Sequence, residues 1–172
     1  MSEMSFEIDE DGERGIQARI LGNRPRTQAA VFDDYFLMLN LGLAAGYQTS
    51  KDNCGESRVF YQPNSPPGAY TKSWNSIIGL VIVNSLREEA IDFENKEEMN
   101  SEIQKLIGED LEEPFTDDFW EAINGYARTG AKIILDMASD KMQWEEFLHF
   151  SYLAVIDELQ EEKHKNLPFK IE

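Results

Sequence analysis

Apolar side chains recurring at three- and four-residue steps constrain this chain more than any other feature, because that spacing lines one face of an α-helix and neither face of a strand. Val31, Phe32, Tyr35, Phe36, Leu39 and Leu43 follow it. Thr27 precedes the series as a cap for the freed amides of a helix start, and Gly46 follows it as a natural stop. The pattern predicts a helix over 27–45. A second helix is expected over 74–87, capped by Ser73 and carrying Ile77, Ile78, Leu80, Val81, Ile82, Val83 and Leu86. It is apolar nearly all round, which predicts the central and most buried element. Asn95 with Glu98 has the form of a capping pair and opens a short acidic helix, with Met99, Ile103, Leu106 and Ile107 on one side as far as Gly108. Thr116-Asp117-Asp118 opens a fourth, 116–138, whose acids sit at its positive end and whose apolar face holds Phe119, Ile123, Tyr126, Ile133, Ile134 and Met137. Asp140 with Gln143 opens a fifth, 141–163, with Trp144, Phe147, Leu148, Tyr152, Val155, Ile156 and Leu159. The expected fold is mainly α: a single-domain bundle of about five helices.

With 172 residues the chain has room for one domain. Residues 1–22 read as an acidic N-terminal tail and lead-in, in which Ile16, Ala18 and Ile20 alternate as a short extended stretch. Residues 23–163 form the helical domain, and 164–172 a C-terminal tail. Between the first two helices, 48–72 is rich in proline, glycine and small polar residues and reads as a long loop, with Val59-Phe60-Tyr61 as a brief strand or an anchor to the core. Gly125 and Gly130 fall inside the fourth helix, on either side of Tyr126. Each disfavours helix by up to about 1 kcal/mol relative to alanine, which predicts a packing reason: the bare backbone lets another helix approach closely.

Charge divides the chain. The formal net charge is −17. Residues 1–13 hold six acids and no base, 14–87 four acids and eight bases, 88–121 fourteen acids and two bases, and 122–172 nine and six. A mildly basic N-terminal half therefore stands against a strongly acidic middle. Nonspecific affinity for duplex DNA comes from Lys and Arg displacing counterions, so direct duplex binding is not expected of this surface. Arg24 and Arg26 in the basic half, and Glu97, Glu98, Glu102 and Glu109 in the acidic middle, are the candidate partner-binding residues; the acids would steer a basic partner.

Signals for chemistry are few. Glu146…His149 and Glu161…His164 repeat a spacing used by di-iron sites, but both lie on one predicted helix, roughly 22 Å apart, and cannot converge. Cys54 lies in the long loop with no histidine near it in sequence, and no serine occupies a G-x-S-x-G turn. Neither phosphate-binding glycine pattern occurs. Asp33-Asp34 falls on the polar side of the first helix, and Asp117-Asp118 serves as helix-opening acids. No catalytic, cofactor-binding or metal-binding residue is assigned, and a non-enzyme is expected. A lone cysteine, an acidic N-terminus unlike a secretory leader, and apolar runs too short to cross a bilayer favour a cytoplasmic setting with no membrane association.

Arg24-Pro25-Arg26-Thr27, then Phe32, then Leu41-Gly42-Leu43-Ala44-Ala45-Gly46-Tyr47, resembles the opening stretch of small accessory proteins encoded with DNA phosphorothioation (Dnd) systems. The apolar Ile77–Leu86 segment is similar to that family's central helix. Glu121, Tyr126-Ala127 and Gly130, followed by Phe147-Leu148, resemble its F-E-x-Y-A-x-x-G region. The resemblance covers about residues 22–155 in order. It implies an accessory or adaptor role in bacterial DNA modification and anti-phage defence, with other proteins of such a system as partners, and supplies no catalytic residues. The acidic 1–13 tail, the proline-rich loop and the acidic 88–121 stretch are departures from the family. The other reading is an acidic inhibitor or immunity protein that mimics nucleic acid, which the net charge favours and the eight bases of 14–87 oppose.

Overall fold

A computed structural model describes residues 5–16, 27–53, 56–61, 66–108, 110, 113–137, 146, 153, 156–159 and 161. In chain order the elements are strand β1 (Phe6–Asp9), helix α1 (Glu10–Ile16), α2 (Gln28–Ala45), a 3-10 turn (Lys51–Asn53), strand β2 (Ser57–Tyr61), and helices α3 (Thr71–Glu88), α4 (Lys96–Leu106) and α5 (Asp117–Met137). The fold is mainly α, and among the described residues it has one small antiparallel sheet of β1 and β2.

Local chemistry sets most helix ends. Thr27 Oγ1 accepts the Ala30 amide at 3.2 Å. Gly46 closes α2 in the left-handed region at φ 77°, its N–H on the Gly42 carbonyl at 2.9 Å. Asn95 Oδ1 accepts the Glu98 amide at 3.3 Å while its Nδ2 donates to the Glu98 carboxylate at 3.1 Å. Thr116 Oγ1 takes the Phe119 amide at 3.3 Å as α5 begins.

α2 and α5 cross at the centre. Tyr35, Leu39 and Leu41 on α2 and Phe119, Ile123 and Tyr126 on α5 are all buried. Glycines permit the crossing. A Cβ on Gly42 would lie 1.8 Å from the Tyr126 carbonyl oxygen, and one on Gly130 would lie 1.7 Å from that of Met38. Numbers rise along one helix as they fall along the other, so the two run antiparallel.

Two expectations need correction, and a third gains its partner. The N-terminal segment is not a tail over its described part: Phe6, Ile8 and Ile16 are buried. The Phe6 ring packs against Phe32, Tyr35, Tyr61, Trp74 and Trp120. Three well-spaced apolar residues are enough to dock the segment despite its acids. Ile16 ends α1 rather than joining a strand, and 17–22 lie outside the described residues. The brief strand expected at Val59-Phe60-Tyr61 within loop 48–72 is present as part of β2, which pairs with β1 through Phe6↔Tyr61, Glu7↔Val59, Ile8↔Arg58 and Asp9↔Ser57. Its partner sits about 50 residues upstream, beyond the reach of local pattern reading. Finally, α3 is peripheral rather than central. Trp74, Ile77 and Val81 face inward, but Leu80 is 47% exposed. The glycine-matched crossing of α2 and α5 already fills the middle. α3 also begins at Thr71 without a side-chain cap, so Ser73 lies within its first turn.

The expected fifth helix, 141–163, and the tail 164–172 lie mostly outside the described residues. Ile156 and Leu159 pack against the core.

Candidate functional site

The C-terminal end of α3, the second half of α4 and the start of α5 border a groove of about 260 Å³, which Gln48 from the loop after α2 also lines. Leu86, Leu106 and Ala122 line it with apolar surface. Glu88, Glu89, Glu102, Asp118 and Glu121 supply carboxylates, against one lysine, Lys105.

Each wall has a local cause. α3 ends in a Schellman turn: the Ala90 amide reaches the Arg87 carbonyl at 3.0 Å, and the Ile91 amide reaches Leu86 at 2.9 Å. Ala90 takes the left-handed conformation at φ 54°, and Ile91 is buried. This reversal sends the chain back along α4. α4 is then tied to the start of α5 by the Ile107↔Phe115 bridge and the Thr116 amide on the Leu106 carbonyl at 3.1 Å.

The carboxylates differ in their ties. Glu88 accepts the Gln48 backbone amide at 2.6 Å, Gln48 Nε2 at 2.7 Å and the Tyr126 hydroxyl at 2.9 Å. It pins α3 to α5 and to the end of α2. Burial pushes the Tyr126 hydroxyl well above the usual phenol range. Glu102 pairs with Lys105. That bond, with the nearby charges of Glu89 and Asp118, raises the ammonium pKa and holds the lysine charged. Glu121 is bound by Arg128, whose side chain is almost fully buried. Arg128 Nε also donates to the Thr49 carbonyl at 2.9 Å, and its Nη1 has no partner among the described residues.

A groove lined by both apolar surface and carboxylates is suited to the stem and charged head of a lysine or arginine. Among the described residues no group of three or more His, Cys, Asp and Glu is arranged to hold a metal ion.

No family model, curated protein or solved structure matches this chain. The site therefore stands on its own geometry.

Of the residues singled out from sequence, Glu102 lies in the groove. Glu97 and Glu98 stand exposed on the first turn of α4, with Glu98 engaged by its cap. Arg24, Arg26 and Glu109 lie outside the described residues. Gly130 is pressed against Met38, while a Cβ on Gly125 would meet the Gln48 side chain at 3.1 Å, a looser contact. Tyr126 serves both places, its backbone against Gly42 and its hydroxyl on Glu88.

Sequence reasoning missed Glu88, Glu89, Asp118, Glu121 and Gln48 as groove residues. The dense acids of 88–121 were the available signal, but which of them converge depends on the Ala90 turn. Among the described residues no helix is long and apolar enough to cross a membrane.

Proposed function

We propose that this chain is a non-enzymatic accessory or adaptor protein of a bacterial DNA-modification or anti-phage defence system, working in the cytoplasm through contacts with other proteins of that system. The observation that carries the reading is the concentration of carboxylates in the groove and on the turn and helix start that follow α3. Five line the groove, and Asp92, Glu94, Glu97 and Glu98 stand exposed on the adjoining turn and helix start. Such a field attracts a basic protein surface and repels nucleic-acid phosphates.

The resemblance to phosphorothioation accessory proteins supports the choice of system. Its pieces include Gly42, Tyr126 and Gly130, the residues that meet where α2 crosses α5. The likeness is thus one of scaffold, and the adaptor role rests on these carboxylates.

Affinity capture of the tagged chain from its host, beside a Glu89→Gln, Asp118→Asn variant, tests this. The wild type is expected to recover DNA-modification or restriction proteins, with recovery falling in the variant and in high salt. Unchanged recovery in the variant, or recovery of no protein of such a system, overturns the reading.

A further inference from the structure

The five groove carboxylates differ in whether a neighbour holds the side chain, and in whether that neighbour also cancels its charge. Glu102 is held by Lys105 and Glu121 by Arg128, in each case by an opposite charge. Glu89 and Asp118 act on Lys105 through charge alone, so nothing fixes them. Of the five, Glu88 alone combines a fixed position with an uncompensated charge. Its Oε1 accepts the Gln48 backbone amide at 2.6 Å, and its Oε2 accepts Gln48 Nε2 at 2.7 Å and the Tyr126 hydroxyl at 2.9 Å. All three donors are neutral. A carboxylate offers about four acceptor positions, so one stays open, and the residue is exposed.

Gln48 is itself seated on α5. The Tyr47 carbonyl accepts the Thr129 hydroxyl at 3.1 Å, and the Thr49 amide reaches the Gly125 carbonyl at 3.2 Å. The backbone on both sides of Gln48 is therefore bonded to one helix. Gly125 leaves room for the side chain between those bonds, since a Cβ there would lie 3.1 Å from Gln48 Oε1 and 3.2 Å from its Cβ. A group fixed in advance loses less conformational freedom when it binds. That separates Glu88 from Glu89 beside it.

We propose that Glu88 is the groove's anchor for a basic side chain of the partner, and that Gln48 is its positioning residue. The inference rests on the groove being the docking site, and adds which carboxylate makes the contact.

The test uses the full chain and a fluorescent hexa-arginine peptide blocked at both ends, at about 50 mM salt so that screening is weak. Anisotropy measures affinity, and the amide resonances of Leu106 and Ala122 report the location. Glu88→Gln and Glu89→Gln remove the same charge from adjacent positions, so a bare field predicts equal losses. Glu88→Gln is expected to weaken binding about tenfold and Glu89→Gln at most about threefold. Gln48→Ala leaves the net charge at −17. It should weaken binding about fivefold in the wild type and have no effect in the Glu88→Gln background, because it acts through Glu88. A general loosening of the fold would persist in that background. Equal losses for the two glutamates, no effect of Gln48→Ala in the wild type, or an effect that survives Glu88→Gln overturns the proposal and leaves the groove as a docking site. A peptide that moves neither groove resonance overturns the docking site and the proposal together.

Discussion

Gly130 lies so close to Met38 that a Cβ on the glycine would sit 1.7 Å from the methionine carbonyl oxygen. One helical turn along each helix the roles reverse, with Gly42 against the backbone of Tyr126. Two reciprocal contacts thus set the separation of the central helices. Gly130→Ala should force α2 and α5 apart and lower stability by about 1–3 kcal/mol, and Gly130→Leu by at least as much. Because both glycines guard one crossing, Gly42→Ala added to Gly130→Ala should cost less than the two single changes together. Urea unfolding of the three variants checks this; full additivity would mean that the contacts act independently.

That crossing was half legible in the sequence. Gly125 and Gly130 inside a helical pattern pointed to a close approach, but not to its partner, because Gly42 sits in a run of small residues beside the expected stop. The helix starts at Thr27, Asn95 and Thr116 were readable for a different reason: a cap and its amide lie three residues apart, within any local window. Asn124 was not readable. Its side-chain amide accepts the Glu7 amide at 3.0 Å and donates to the Ser5 carbonyl at 3.0 Å, standing in for a strand along the edge of β1. Its Oδ1 also accepts the Tyr35 hydroxyl at 2.9 Å. No short-range pattern links residues 117 positions apart. The groove failed for the same reason, since its walls come from three helices and meet only after the chain reverses at Ala90.

Ala90 itself makes a prediction. Its φ of 54° is a conformation that glycine adopts without steric cost and alanine does not. Both Schellman hydrogen bonds are backbone-only, so Ala90→Gly keeps them. The substitution should stabilise the fold by up to about 1 kcal/mol, the relief of the left-handed alanine less the greater entropy of glycine in the unfolded chain. Ala90→Val should destabilise it, since a β-branched side chain tolerates that region least. Thermal unfolding of the two variants decides; a lower melting temperature for Ala90→Gly would refute the assignment of strain.

Alkaline pH offers a test of the buried tyrosines. Burial holds both the Tyr35 and Tyr126 hydroxyls above the ordinary value of 10.0. Above about pH 10 the unfolded chain therefore loses phenolic protons that the folded chain keeps, and stability falls as pH rises, by up to about 1.4 kcal/mol per unit for each tyrosine. Below pH 10 neither contributes a slope. Lys105, raised by its bond to Glu102, loses its contribution in the same direction. The diagnostic is thus the difference between wild type and single variants. Tyr35→Phe should lower stability at neutral pH, by leaving Asn124 one donor short, and should flatten the alkaline decline. Urea midpoints between about pH 8 and 11 measure it; an unchanged slope in Tyr35→Phe would show that the phenol ionises as freely folded as unfolded.

The groove separates docking from mere solubility. Glu88, Glu102 and Glu121 are each tied to a neighbour, so neutralising one of them would remove a bond as well as a charge. Glu89 and Asp118 act on Lys105 through charge alone, which makes them the cleaner probes. Glu89→Gln with Asp118→Asn should leave the fold intact, since the relief of like-charge repulsion is offset by the loss of their attraction to Lys105 and of the Asp118 charge at the start of α5. Neutralising Glu97, Glu98, Glu102 and Glu109 together should likewise leave the isolated fold stable. On a docking surface that change carries a penalty visible only with the partner. Association with the captured protein should slow at about 50 mM salt and approach the wild-type rate at about 300 mM, since rim charges act mainly on encounter. A solubility surface predicts equal on-rates at both salts. Stopped-flow or surface-based kinetics distinguish the two, and equal rates would leave these carboxylates with no role in recognition.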